Sequence, residues 1–209
     1  SAHVGQGTVI GPHVSVGPRV RIGANCRIGA STVIEGWTEI GDGTEIFPFG
    51  SIGLIPQDLK FHGEATILEV GDATTIREYA TLNRGTSDRG RTTVGSHCFI
   101  MSYAHIAHDC SVGNHVILAN SVNMAGHVVI EDYVVIGGMA SVYGSLVGAV
   151  LLTVFGLIIA WDPVAQKPRW KVRHQWIANG GILATAGGIV FQGTSEGWLS
   201  GYDAASGKR

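Results

Sequence analysis

The chain has 209 residues, 45% hydrophobic and only 14% charged, with 31 glycines and a formal net charge of −2. That length makes one large or two small domains, and a near-neutral balance without a basic stripe or acidic tail speaks against nucleic acid as a partner. Three cysteines, an odd number, argue against a disulfide framework, and the start Ser-Ala-His-Val lacks a basic and apolar leader, so a cytoplasmic location is expected.

From Val4 onward a branched apolar residue recurs at every sixth position: Val4, Ile10, Val16, Ile22, Ile28, Ile34, Ile40, Ile46 and Ile52. Glycine follows most of them, and four positions after each comes a small or β-branched residue such as Thr8, Val14, Cys26 or Thr32. A period of six is neither the 3.6 of a helix nor the 2 of an ordinary strand. It is the hexapeptide period of β-helices, in which short strands joined by tight corners coil into a solenoid with the apolar residue of each strand inward. Three hexapeptides complete one triangular coil, and the predicted fold class is all-β.

The register lapses from Gly53 to Glu69, resumes at Val70, Ile76 and Leu82, and lapses again from Gly85 to Arg91. It then runs without a slip from Val94 through Ile100, Ile106, Val112, Leu118, Met124, Ile130 and Ile136 to Val142. Insertions in a solenoid become surface loops, and such loops often carry the binding face. Cys26, Cys98 and Cys110 all fall on the compact inward position, which reads them as small core residues.

The stretch from Val94 to Val142 also holds His105, His108, Asp109 and His127. His108 and His127 are one coil plus one position apart, so their side chains fall near one another on one edge of the prism, and His105 flanks the same corner. Asp109 can orient an imidazole so that the other ring nitrogen accepts a proton. A single histidine at a corner is commonly just solvated, whereas three with an aspartate on one edge suggest acid–base chemistry. His105-x-x-His108 lacks a third or fourth ligand of the usual kind, so no metal and no cofactor is expected.

Residues 1–142 resemble the family of UDP-N-acetylglucosamine O-acyltransferases that begins lipid A synthesis. The residues that carry the resemblance are Pro56-Gln57-Asp58-Leu59-Lys60-Phe61, Asn83-Arg84-Gly85-Thr86, Ala104-His105-Ile106-Ala107-His108-Asp109-Cys110, Ala125-Gly126-His127-Val128 and Ile136-Gly137-Gly138-Met139, in that order. The resemblance implies a left-handed parallel β-helix, a homotrimer with sites between subunits, and transfer of a hydroxyacyl chain from acyl carrier protein to the sugar 3-hydroxyl. It makes His108 the general base supported by Asp109, and the Gly126 N–H the donor to the oxyanion of the attacked thioester. Gln57, Asp58, Lys60, His105, His127 and Gly138 would contact the nucleotide sugar or the acyl chain. The resemblance ends at Val142: Tyr143-Gly144 stand where the family has a His-Gln pair, followed there by further coils and a helical domain.

The residues beyond Val142 read as different material. Between Asp132 and Asp162 there is no charged residue, and 143–159 forms an apolar junction. Its apolar run is at the short limit for a membrane span of about 20 residues, is rich in β-branched residues that suit buried strands, and lacks flanking basic residues on its N-terminal side, so a membrane segment is not favoured. Residues 160–209 resemble one blade of a quinoprotein alcohol dehydrogenase propeller. The resemblance rests on Ala160-Trp161-Asp162-Pro163-Val164-Ala165-Gln166-Lys167 with Trp170, on Asn179-Gly180-Gly181 and Ala184-Thr185-Ala186-Gly187-Gly188, and on Tyr202-Asp203-Ala204-Ala205-Ser206-Gly207. One blade cannot enclose a quinone, since propellers need roughly 4 to 8, so a small antiparallel sheet over the end of the solenoid is expected instead. Two partial families joined inside a coil and inside a blade read as a recombined, designed or truncated chain. Three function classes are compatible with these residues: acyltransferase first, a structural or engineered solenoid without turnover second, and a quinoprotein dehydrogenase fragment last.

Overall fold

The computed structural model describes residues 1–142 continuously and, after them, 145–146, 150–154, 157–162, 167–173, 182–184, 189–193 and 199–209. Two-residue strands such as His3–Val4, Val9–Ile10 and Ser15–Val16 follow one another around a prism. Each pairs in parallel with the strand one coil on: His3 with Arg21, Val9 with Arg27, Ser15 with Val33. Three sheets therefore run the length of the solenoid, called here the first, second and third faces in the order of those three strands. Among the described residues there is no helix.

The hexapeptide arithmetic explains how the two register lapses are tolerated. Side chain to backbone hydrogen bonds between stacked corners link residues 18 apart in an ordinary coil, 30 apart across the first insertion and 24 apart across the second. The first insertion thus adds two hexapeptide lengths and the second adds one. Whole multiples of six return the chain to the same face in the same inward–outward phase, so Trp37 pairs with Ile67 and Ile67 with Arg91.

The periodic apolar residues form the core. Ile34, Ile52, Ile76, Leu82, Ile100 and Ile106 are 0% exposed, and the three free cysteines are buried among them. Val4 and Ile10 remain 41% and 40% exposed, because the coil at that end has a neighbour on one side only. Burial of each such side chain contributes about 1.5–3 kcal/mol. Ile76→Ala should therefore cost about 2–5 kcal/mol through lost contacts and the cavity left behind. Urea unfolding measures this, and an unchanged midpoint would contradict the assignment of Ile76 to the core.

The backbone conformation of the corners has no signature in the apolar period. Among the described residues, fourteen non-glycine residues have positive φ, and they fall on multiples of a six-residue spacing, from His13 and Asn25 to Tyr133 and Met139. Left-handed backbone costs L-residues roughly 1–2 kcal/mol each, and stacking of corner on corner offsets it. Asn25 N–H donates to the Gln6 carbonyl and His127 N–H to the His108 carbonyl, one corner to the next. Corner side chains also form ladders: Phe49, Tyr79 and Tyr103 stack with ring centroids 5.0 Å apart, and His97, His115 and Tyr133 stack at 5.0 and 4.7 Å.

After Val142 the strands continue the prism before turning back. Ser145–Leu146 pairs in parallel with Val129–Ile130, and Leu151 pairs with Ile136. Val150–Val154, Leu157–Asp162 and Lys167–Arg173 then run antiparallel. Ile182–Ala184 pairs in parallel with Ser141–Val142, and Ile189–Gly193 and Leu199–Asp203 add antiparallel strands. Instead of forming one separate sheet, these antiparallel strands extend the second and third faces, where an open edge offers unpaired backbone groups. The backbone of the apolar junction is strand wherever it is described, and no helix of the described residues is long and apolar enough to cross a membrane. Trp170 is buried, with its Nε1–H donating to the Ala204 carbonyl at 2.9 Å. Gly207 lies against that indole: its φ is +69°, and a Cβ there would stand 2.7 Å from the ring. Tyr143-Gly144 and the blade-like stretches 163–166, 179–181 and 185–188 lie outside the described residues.

Candidate active site

One edge of the prism, where the third face passes to the first, carries both insertions and the histidine cluster. The first insertion leaves Ser51–Leu54 and returns at Ile67–Val70; the second leaves Thr81–Asn83 and returns at Arg91–Val94. The next two passages on this edge are the tight corners after His105–Ile106 and after Asn123–Met124. Loop, loop, corner and corner are therefore stacked in sequence order, and the period of six placed them there.

At the third of these passages His108 Nδ1 lies 2.9 Å from Asp109 Oδ2. An ionised carboxylate only accepts, so the imidazole carries its proton on Nδ1 and leaves Nε2 free to accept another. Asp109 is 0% exposed, and the second insertion folds over it. Its Oδ1 accepts from the N–H groups of Thr86 (3.0 Å) and Arg89 (3.3 Å), and its Oδ2 accepts from the Thr86 hydroxyl at 2.5 Å. The Arg89 guanidinium donates to the Asp109 carbonyl at 3.1 Å, and Asp109 N–H donates to Thr92 Oγ1 at 2.8 Å. Burial opposes ionisation of the Asp109 carboxyl, but the hydrogen bonds from Thr86 and His108 and the nearby His127 outweigh it and hold the group below its ordinary range.

His127 joins from the corner one coil on, its ring edge-to-face with that of His108 at 5.1 Å between centroids. Its Nε2 is 3.9 Å from Asp109 Oδ2 and its Nδ1 3.6 Å from Asp88 Oδ2 in the second insertion. His105 stands on the third face with Nδ1 2.7 Å from Thr81 Oγ1, and burial, then the neighbouring His108, lowers its pKa and favours the neutral ring. Gly126 lies flat against the catalytic candidate: a Cβ there would meet His108 Cε1 at 2.5 Å and Nε2 at 2.7 Å. Ligand atoms of His108, Asp109 and His127 lie within 4.8 Å of one another, a set of two imidazoles and a carboxylate able to hold a divalent ion. The 2.9 Å His108–Asp109 separation is that of a hydrogen-bonded pair.

The remaining candidates sit further away. Gln57, Asp58 and Lys60 occupy the first insertion, where Asp58 Oδ1 accepts from Lys60 N–H at 2.9 Å and the Asp58 carbonyl from Phe61 N–H at 3.0 Å. This turn rests on a stack of aromatic rings and guanidinium groups: Arg84, buried, lies 5.3 Å from the Phe61 ring and 5.5 Å from that of Trp37, with Arg19 also on Trp37 at 3.9 Å. Among the described residues no hydrogen bond or ion pair joins Gln57, Asp58 or Lys60 to the histidine cluster. Gly138 is on a different edge, at the corner between Val135–Ile136 of the second face and Ser141–Val142 of the third. Of the candidates, His105, His108, Asp109, Gly126 and His127 lie together on this edge, and Gly138 lies on another.

Thr86, Arg89 and Thr92 bury and bind Asp109, and no spacing in the sequence marks them for that part. Removal of the Thr86 hydroxyl checks their part. Thr86→Val should cost about 1.5–3 kcal/mol at neutral pH, the usual range for a hydrogen bond to a charged group. The folded-state pKa of Asp109 lies below its ordinary 3.8, so its stabilisation is complete above that value and is lost as pH falls through the folded-state value. The gap between wild type and Thr86→Val in urea unfolding should accordingly narrow in acid, and a gap independent of pH would contradict this account.

The chain is similar to known proteins. The bacterial transferase hexapeptide (six repeats) family model matches residues 1–36 and 91–126. An acyl-[acyl-carrier-protein]–UDP-N-acetylglucosamine O-acyltransferase of Thermodesulfovibrio yellowstonii is 46% identical over 113 residues, which is 54% of this chain and 44% of that protein. The crystal structure of UDP-N-acetylglucosamine acyltransferase of Francisella novicida superposes with a TM-score of 0.67 at 34% identity, covering 72% of this chain and 60% of that one. That of Bacteroides fragilis superposes with a TM-score of 0.53 at 37% identity, covering 73% of this chain and 68% of that one. The chain spans less than half the length of the curated relatives it matches, 30% and 44% of the first two. With the left-handed parallel β-helix and this degree of identity, the chain belongs to the UDP-N-acetylglucosamine O-acyltransferase family of hexapeptide-repeat proteins.

Proposed function

We propose that this chain transfers a hydroxyacyl group from acyl carrier protein to the 3-hydroxyl of UDP-N-acetylglucosamine, with His108 as general base. The observation that carries the reading is the His108–Asp109 pair at 2.9 Å, its carboxylate buried and its Nε2 left to accept a proton. His108 Nε2 takes the proton of the sugar hydroxyl as the oxygen attacks the thioester carbonyl. Gly126 N–H stabilises the oxyanion. Collapse breaks the carbon–sulfur bond, and the imidazolium returns its proton to the leaving sulfur. Asp109 fixes the tautomer and balances the imidazolium charge. His105 and His127 border the acceptor, and Gln57, Asp58 and Lys60, further along the same edge, hold the nucleotide sugar.

Gly138 lies on another edge and reaches this site only from a neighbouring copy. A homotrimer supplies that arrangement, each site lying between two copies. Light scattering on the purified chain should give three times its 22.0 kDa mass. A monomer would remove Gly138 from the site and contradict the shared arrangement. Calorimetric titration with UDP-N-acetylglucosamine tests the acceptor: saturable binding, weakened in Lys60→Ala, is expected, and no saturable heat would overturn the assignment.

A further inference from the structure

A repeated stitch lies beneath the corners. Small inward residues donate to the first carbonyl of the corner one coil on: Thr8 to Gly23 at 2.7 Å, Cys26 to Gly41 at 3.2 Å, Thr44 to Gly71 at 3.0 Å and Cys98 to Gly113 at 3.1 Å. On the edge that carries His108, among the described residues, this stitch is made by Cys110, whose Sγ–H donates to the Ala125 carbonyl at 3.1 Å.

Ala125 and Gly126 share a peptide unit. In a trans peptide the C=O and the N–H point in opposite directions. The Cys110 thiol is 1% exposed, so a carbonyl turned toward it turns inward, and the Gly126 N–H turns away from the core. There it has no partner among the described residues, while the His108 ring lies against the Gly126 Cα. Other corners close locally: the N–H groups of Val20, Ala104 and Val122 donate back to Gly17, Met101 and Ala119. Ala125 accepts no such bond, which leaves the thiol as its donor among the described residues. A peptide that precedes glycine turns over more readily than others, so this one depends on its tether. Burial, with the Asp109 charge beside it, pushes the thiol up to about 11, so it stays a protonated donor at neutral pH.

We propose that Cys110 is a positioning residue that holds the Ala125–Gly126 peptide with its N–H facing the reacting carbonyl. The proposal rests on the acyl-transfer reading above and makes Cys110 act through Gly126, without touching substrate.

The test compares Cys110→Val with Cys110→Thr, two side chains of nearly one shape of which only the second donates. Both suit the position, since Val116, Val122 and Thr44 occupy it elsewhere and are buried. Labelling alanine carbonyls with ¹³C and glycine amides with ¹⁵N isolates two Ala–Gly pairs, Ala125–Gly126 and Ala186–Gly187. The Ala125–Gly126 signal should move in Cys110→Val and stay near its wild-type position in Cys110→Thr, with the other pair unchanged. Loss of an oxyanion donor costs about 10²–10³ in kcat, so a donor freed but still present should cost about tenfold, with both KM values unchanged and kcat restored in Cys110→Thr. An unmoved Ala125–Gly126 signal in Cys110→Val, or an equal fall of kcat in the two variants, would overturn the proposal. The spectral readout needs no turnover, so absence of wild-type activity would count against the acyl-transfer reading while the spectrum still decides the role of Cys110.

Discussion

His108→Ala should lower the rate of acyl transfer by about 10²–10⁴-fold, the usual contribution of a positioned general base, and leave the β-helix intact. The side chain is largely buried, but its packing is confined to the corner, and the adjacent inward residue Ile106 keeps the core closed. Asp109 would lose one acceptor contact and keep those from Thr86 and Arg89. The loss should therefore fall on kcat, with little change in the KM for the sugar nucleotide. Steady-state kinetics and the urea midpoint together make the check. A wild-type rate no higher than that of the variant would remove His108 from the mechanism, and a large fall in stability would mean that its role is structural.

Gly126→Ala should be nearly as damaging for a different reason. The φ of Gly126 is not in the left-handed region, so the backbone itself would accept alanine. The obstacle is the imidazole: a methyl group would stand 2.5 Å from His108 Cε1, closer than such atoms approach, and the ring must give way. A displacement on the order of 1 Å in a positioned catalytic group costs about 10² in rate. We expect a loss of about that size with the His108–Asp109 contact broken, which a crystal structure of the variant would display. Full activity in Gly126→Ala would mean that the close packing of glycine against histidine is not needed.

Much of this was legible in the sequence because the solenoid repeats a strict pattern. The sixfold spacing of Ile22, Ile34, Ile46 and Ile100 identifies the inward residue of each strand directly, and the same spacing carries His108 and His127 to one edge. The insertions are visible as breaks in register, and the steps of 18 residues from Ile52 to Val70 and 12 from Leu82 to Val94 already keep the sixfold phase; which strands meet across them comes from the pairing of Trp37 with Ile67 and Ile67 with Arg91. Thr86 stood inside a recognised motif, yet no spacing rule connects it to Asp109, because loop residues obey no period. Cys110 reads correctly as a buried core residue; its bond to the Ala125 carbonyl depends on the corner geometry of the next coil. A motif names Gly138 without assigning it to a chain or an edge, so its distance from the histidine corner within one chain appears only in the fold. The strands after Val142 have lost the period, so their pairing with the prism could not be foreseen.

Acyl transfer by His108 is tested most directly by incubating the purified chain with UDP-N-acetylglucosamine and hydroxyacyl-acyl carrier protein and following the sugar nucleotide by mass spectrometry. A singly acylated product, with the acyl group on the 3-hydroxyl, should form with wild type and fall by at least about 10² in His108→Ala. Product formed equally by both proteins, or by neither while the sugar nucleotide binds, would contradict acyl transfer by His108.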